Sequence, residues 1–186
     1  MVFTSKKMRD RRFRKIEETI LTVFFDEYRK GSTMRRLAKK VGAGRSTMYI
    51  HHHAVREVIP DYEKYILAEY RSFMRKKLKM ENADLKNLYF DTLVFILRNR
   101  KFFEVFLKFD DREILIKMLD VIKDKAVIFM RLPKNHKKIF GVYKGEVVEI
   151  IFEWGERGFL EGELEKVLSD ILYLSKTARA RLIPIS

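Results

Sequence analysis

Residues 33–51 read TMRRLAKKVGAGRSTMYIH, and this stretch predicts two short helices joined by a glycine turn. Its first apolar residues fall three or four positions apart, as one face of a helix requires: Met34, Leu37, Ala38 and Val41. Ser32 or Thr33 precedes them and carries a hydroxyl suited to capping a helix N-terminus. The sequence Gly42-Ala43-Gly44 then ends this helix, and a second short helix is expected over residues 45–51.

The spacing of three residues in this stretch indicates how the two helices cross. Helices that cross tightly need a small residue where they touch and a glycine where the chain reverses. Ala38 meets the first need, and Gly42 the second, because a positive φ costs other residues about 1–2 kcal/mol. Met48, six residues further on, can anchor the second helix. The pattern therefore predicts a helix-turn-helix.

The residues before this motif are basic and helical in pattern. A first helix is expected over residues 11–28, with Ile16, Ile20 and Val23 on one face. The chain before and within its start concentrates cations: Lys6, Lys7, Arg9, Arg11, Arg12, Arg14 and Lys15. This arm either contacts phosphates or is merely solvated, and charge alone leaves both open. Together these features predict an N-terminal three-helix module over residues 1–54.

The remainder, residues 55–186, has helical periodicity throughout and little strand alternation. Helices are expected over residues 55–77, 85–96, 114–129, 139–156 and 161–181, with a short apolar segment over 102–109. Gly155 and Gly158 are expected to break the helix over 139–156. The fold class is therefore all-α, with about nine helices: a helix-turn-helix module followed by a C-terminal helical bundle.

Composition narrows the functional classes. The chain has 40 Lys and Arg against 26 Asp and Glu, a formal net charge of +14, which favours a polyanionic partner. Cysteine is absent, which excludes disulfides and thiolate chemistry. Charged residues interrupt every apolar run before it could span a membrane, and no secretory h-region follows the basic N-terminus. We therefore expect a soluble cytoplasmic protein with no membrane partner.

Enzymatic and metal sites find little support in the sequence. Consecutive residues of a helix point about 100° apart, so His51, His52 and His53 are poorly placed to share one ion. No nucleophile elbow, phosphate loop, zinc-protease helix or persuasive pair of acids occurs. We expect no enzyme activity, no bound metal and no cofactor beyond an unidentified small-molecule effector.

The motif resembles the DNA-binding segment of the TetR family of transcriptional regulators. Matching positions are Thr33, Leu37, Ala38, Gly42, Thr47, Met48, Tyr49 and His51. The sequence departs from the family pattern at Gly44, where a Ser or Thr cap is usual, at His52, where Phe is usual, and at Val55, where Lys is usual. Beyond the first third of the chain, the likeness extends only to length and helical layout.

The resemblance implies a role for each of six residues. Arg45, Ser46 and Thr47 would face base edges in the major groove. Tyr49 and His51 would hold phosphates, and Thr33 would donate to a phosphate at the start of its helix. The residues themselves leave plainer roles open: Thr33 as a cap only, Tyr49 as a packing residue, and Arg45 as a solvated cation.

The resemblance also implies a homodimer and a ligand pocket in the C-terminal domain. The last two helices would pair with their twofold mates through Tyr143, Val147, Ile151, Trp154, Leu168 and Ile171. Packing only within one chain is the alternative. A small apolar ligand would be lined by Tyr89, Phe102, Phe106 and Phe129, although such an aromatic stripe also suits an ordinary core.

The resemblance thus implies a homodimeric regulator that binds a palindromic operator in double-stranded DNA, a repressor released by a small apolar ligand. The alternative is a basic helical module that binds anionic surfaces or RNA without reading sequence.

Overall fold

The computed structural model describes residues 23, 33–42, 44–51, 58–80, 84–108, 112–132 and 137–180. For residues 47, 50, 51, 58, 59, 105, 108, 137 and 179 it describes the backbone only. All regular structure in these ranges is helical, and they contain no strand. The all-α prediction is confirmed.

Eight α-helices and one 3-10 turn lie within the described ranges. The helices are α1 (Met34–Val41), α2 (Arg45–His51), α3 (Val58–Leu78), α4 (Leu85–Arg98), α5 (Arg100–Lys108), α6 (Glu113–Phe129), α7 (Lys137–Glu156) and α8 (Leu164–Ala180), and the 3-10 turn covers Glu161–Glu163. The sequence predicted about nine helices, whereas the described residues hold eight. The predicted first helix, over 11–28, lies outside them apart from Val23, which is helical.

The chain divides into two compact units, one ending at Ile66 and one beginning at Leu67, so the division falls inside α3. The predicted domain boundary, between residues 54 and 55, lies outside the described residues. In the first unit, α1 and α2 contact each other. In the second, α7 and α8 contact each other, α4 contacts α8, and α5 and α6 contact α7.

The facing sides of α7 and α8 supply the centre of the second unit. The six residues predicted to form a dimer interface lie here, each at most 1% exposed: Tyr143, Val147, Ile151, Trp154, Leu168 and Ile171. These side chains are covered by their own chain, which leaves little of their surface for a second copy, and their role in a dimer interface stays a prediction. The periodicity identified the apolar faces correctly, but these faces are occupied within one chain.

The connection from α7 to α8 is closed by an aromatic cap. Gly158 has φ +85°, and its N–H donates to the Gly155 carbonyl at 2.8 Å. The next N–H, of Phe159, donates back to the Trp154 carbonyl at 3.1 Å, so the last turn of α7 has its carbonyls satisfied. The Trp154 and Phe159 rings meet edge to face at 5.1 Å, and Trp154 Nε1 donates to the Leu160 carbonyl at 3.0 Å.

Gly155 has a different role from the predicted helix break. The helix continues through it to Glu156, and Gly158 is the residue that ends the helix. A Cβ on Gly155 would collide with Leu107 Cδ1 and would lie 2.6 Å from Phe159 Cζ. Gly155 is therefore required by the close approach of α5 and the aromatic cap, since no larger residue fits there.

Three tyrosine side chains of the second unit are buried, including their hydroxyl groups. The Tyr70 hydroxyl lies 2.7 Å from Thr92 Oγ1, which in turn donates to the Leu88 carbonyl at 2.8 Å. The rings of Tyr89 and Tyr143 meet edge to face at 6.4 Å. Burial raises the pKa of Tyr70, Tyr89 and Tyr143 above the ordinary value of 10.0, because a phenolate loses its hydration there.

None of the helices in the described ranges is both long enough and apolar enough to cross a membrane.

Replacing Gly155 with Ala should destabilise the second unit. The added methyl group has no space against Leu107 and Phe159, so we expect the free energy of unfolding to fall by about 1–3 kcal/mol. Gly145→Ala is the matched control on the same helix, because nothing lies within 4 Å of its added Cβ. Loss of glycine flexibility there should raise stability by about 0.5–1 kcal/mol. Urea denaturation of both variants measures the difference, and equal effects would contradict the packing argument.

The buried tyrosines predict a loss of stability in strong alkali. Above pH 10 the unfolded chain releases phenol protons that the folded chain retains, because folding raises these pKa values. Stability contributed by these groups is therefore complete below pH 10 and falls as the pH rises above it, by up to about 1.4 kcal/mol per pH unit for each tyrosine. Tyr143→Phe should make this fall less steep in denaturant titrations between pH 9 and 11. Tyr173→Phe, which removes a phenol that is 67% exposed, is the control.

Candidate nucleic-acid interface

Helix α1 begins with a side-chain cap. Thr33 has extended backbone geometry (φ −104°, ψ 158°), and its Oγ1 accepts a hydrogen bond from the Arg36 N–H at 3.3 Å. Thr33 thus occupies the capping position that the sequence predicted for it or Ser32. Its side chain is exposed, whereas Met34, Leu37 and Ala38 turn inward and are buried.

The turn between α1 and α2 depends on Gly42. This residue ends α1 in the left-handed conformation, with φ 71° and ψ 24°, which an L side chain adopts only at a cost. On the far side of the turn, Met48 is fully buried, and its N–H donates to the Gly44 carbonyl at 3.1 Å. A small residue, Ala38, is also buried where α1 contacts α2. The three residues that the spacing selected are thus the glycine that ends α1 and one buried residue on each of the two helices.

Helix α2 presents three of the six predicted site residues to solvent. Arg45 and Ser46, in its first turn, are exposed, and Tyr49 is 49% exposed. Residues four apart share a helix face, so Arg45 and Tyr49 lie on the same side of α2, and Ser46 lies almost opposite buried Met48. Thr47 and His51 lie on α2 by their backbone, but their side chains are outside the described residues. His52, His53, Val55 and Arg56 also lie outside them.

Helix α1 adds cations that the sequence reasoning did not assign to the site. Arg35, Arg36, Lys39 and Lys40 are all exposed on its outer side. Lys39 and Lys40 stand in the last turn, where the helix dipole favours positive charge. From residue 33 to residue 51 the chain carries five Lys and Arg and no Asp or Glu. The sequence does contain a signal for this cationic side: the pairs Arg35-Arg36 and Lys39-Lys40 are four residues apart, and this spacing places all four side chains on one side of a helix.

Two surface concavities are described in the second unit. One, of about 390 Å³, is lined by Lys86, Glu165, Leu168, Ser169, Leu172, Tyr173 and Lys176. The other, of about 320 Å³, is lined by Glu69, Ser72, Phe73, Phe95, Arg98 and Asn99. Neither lining includes the residues of the predicted ligand pocket. Of those, Tyr89 and Phe106 are buried and Phe102 and Phe129 half-buried, so the pocket stays a prediction.

Comparisons with protein-family models, curated proteins and solved structures return no match to this chain.

Removing the cap hydroxyl should weaken α1. Thr33→Ala leaves the Arg36 N–H without its acceptor, so we expect the free energy of unfolding to fall by about 1 kcal/mol. Thr33→Asp keeps an acceptor at the same position and adds a negative charge at the helix N-terminus, so stability should be retained or increased. Thermal unfolding followed by circular dichroism compares the two variants. An unchanged midpoint for Thr33→Ala would contradict the capping role.

Proposed function

We propose that this chain is a TetR-like transcriptional regulator that reads duplex DNA through a helix-turn-helix formed by α1 and α2. The observation that carries the proposal is the arrangement of α2, which buries Met48 while Arg45, Ser46 and Tyr49 remain exposed. A helix anchored on one side with polar side chains on the other is suited to lie in a major groove. The absence of acidic residues between residues 33 and 51 removes a source of repulsion from phosphates.

The exposed residues of α2 divide into reading and holding roles. In the proposal, the Arg45 guanidinium pairs with guanine O6 and N7, and the hydroxyls of Ser46 and Thr47 meet neighbouring base edges. The Tyr49 hydroxyl and the His51 imidazole donate to phosphate oxygens, which fix the register of the helix without carrying sequence information.

Helix α1 is proposed to bind the DNA backbone. The Thr33 hydroxyl accepts from the Arg36 N–H, so its own hydrogen can be donated to a phosphate. Capping and phosphate contact are therefore compatible in one side chain. The N–H groups at the start of α1 favour an anion at the same place, and Arg35 and Lys39 extend positive charge along the exposed side.

A twofold dimer is part of the proposal, because two reading helices can then occupy half-sites about 34–36 Å apart. The buried residues of α7 and α8 are not available for this contact. The outer sides of the two helices are available, because Val142 is 56% exposed and Tyr173 is 67% exposed, and the open space beside Gly145 would admit another helix. A small apolar effector that favours a different spacing of the reading helices would release the protein from its operator.

The alternative proposal, a basic module that binds anionic surfaces or RNA without reading sequence, draws on the net charge of +14. It offers no reason for α2 to bury Met48 and expose Arg45.

The function is tested by selecting bound sequences from a random duplex library with the full chain, with RNA as competitor. We expect enrichment of one palindromic sequence, since a dimer reads two related half-sites. Uniform recovery of all duplexes, or preferential recovery of RNA, would overturn the proposal.

On the selected duplex, Arg45→Ala should relax base preference. Loss of a bidentate contact should cost about 1–3 kcal/mol on the preferred sequence and much less on random duplex. Tyr49→Phe is the contrasting variant, because loss of a phosphate contact should weaken all duplexes alike. Affinities are measured by fluorescence anisotropy at fixed salt. Equal losses for Arg45→Ala on selected and random duplex would refute base reading by this residue.

A further inference from the structure

The second unit carries a cationic surface on α3 that DNA reading through α1 and α2 does not use. From Tyr70 to Met80 the chain has five Lys and Arg and no acidic residue. Four of these cations are exposed: Arg71, Arg75, Lys76 and Lys79. At 100° per residue Arg71, Arg75 and Lys76 fall within an arc of about 140° that also holds exposed Ser72, and exposed Lys79 follows directly after the end of α3 at Leu78. We refer to Arg71, Ser72, Arg75, Lys76 and Lys79 as the α3 basic surface.

These four cations have no ion pair with any carboxylate in the described part of the chain. The fifth cation of the segment behaves differently. Lys77 Nζ lies 2.5 Å from Asp91 Oδ1 and 5.1 Å from the centre of the Phe73 ring, so it belongs to the contact between α3 and α4. The helix thus neutralises the cation on its inner side and leaves those on its outer side for solvent or a partner.

The α3 basic surface borders the concavity of about 320 Å³, because Ser72 lines it. Phe73 and Phe95, whose rings lie 5.5 Å apart, give the concavity an apolar wall. Arg98 also lines it and is exposed, as are Arg100 and Lys101 shortly after it in the chain. The concavity therefore combines an apolar wall with cations on both α3 and the α4–α5 junction.

We propose that the α3 basic surface and this concavity bind an acidic polypeptide segment of a partner protein. Carboxylates of the segment would face Arg71, Arg75 and Arg98, and one large apolar side chain would enter the concavity against Phe73 and Phe95. The surface spans nine residues, from Arg71 on α3 to Lys79 just beyond its end, or about 12 Å, which is the length of about four residues of extended chain. A short acidic segment with one apolar anchor therefore matches both its length and its chemistry.

The lining favours a polypeptide over a nucleic-acid backbone. A phosphate chain offers only acceptors and negative charge, and it has no N–H group to donate to acceptors in the lining. A peptide backbone offers both N–H and C=O groups. The hydroxyl of Ser72 can donate or accept, and Asn99, whose Nδ2 donates to the Phe95 carbonyl at 2.8 Å, keeps its amide oxygen as an acceptor.

The first test measures binding of a fluorescein-labelled synthetic peptide, in which three Glu precede and three Glu follow a single Phe, to the full chain. The variant Arg71→Glu/Arg75→Glu should weaken binding by about tenfold or more, because like charges then face each other. Lys166→Glu/Lys176→Glu, on exposed positions of α8, makes the same change of net charge and should weaken binding less than about threefold. Equal losses would show attraction to net charge alone and overturn the proposal.

The second test addresses the apolar anchor. Replacing the peptide's Phe with Ala should weaken binding to the unaltered chain by about tenfold, as expected for an aromatic side chain removed from water. Ser72→Trp, at an exposed position, should fill the concavity and abolish the difference between the two peptides, with folding confirmed by circular dichroism. No difference between the peptides on the unaltered chain would overturn the proposal. So would tighter binding, sensitive to Arg71→Glu/Arg75→Glu, of single-stranded DNA or phosphatidylserine vesicles.

Discussion

The second unit depends on how α7 is stopped and turned back. The Trp154 indole sits fully buried, meets Phe159 edge to face, and uses its N–H to hold the Leu160 carbonyl. One side chain therefore satisfies a backbone acceptor beyond the helix end while filling the core beneath it. Phe159 has φ 49°, a conformation unfavourable for a side chain, and the ring contacts with Trp154 and Phe103 offset its strain.

This closure sets the positions of the other helices of the unit. Because α7 returns through the 3-10 turn into α8, the apolar sides of the two helices face each other along their lengths. Arg157 Nε donates to Glu163 Oε2 at 2.8 Å across the connection. Helix α5 then approaches α7 closely enough for Leu107 to reach Gly155, which only a residue without a Cβ permits. The buried residues of α7 and α8 are consequently covered within one chain, while Val142 and Tyr173 remain exposed on their outer sides.

In the first unit, too, one helix must end and the next must be anchored. A left-handed glycine ends α1, and one fully buried methionine anchors α2. The cations of α1 and, among the described side chains of α2, Arg45, Ser46 and Tyr49 are exposed, so they are available for a partner. Buried residues anchor the two helices and exposed residues can contact a partner, and this arrangement is the physical basis of the proposed DNA reading.

The sequence by itself determined the helical class, the limits of most helices, and the glycine turn after α1, because each depends on local spacing. Apolar periodicity located α6 to within one residue of Glu113–Phe129, and Thr33, Ala38, Gly42 and Met48 have local roles that spacing reveals. Only the tertiary structure decided which apolar face meets which. Tyr143 and Ile171 are as apolar in pattern as any interface residue, and periodicity cannot distinguish a face covered by the same chain from one covered by a second copy. Gly155 shows the same limit. A glycine at this position predicts a helix break, but the helix continues through it, and the close approach of Leu107 and Phe159 is what requires a residue without a Cβ.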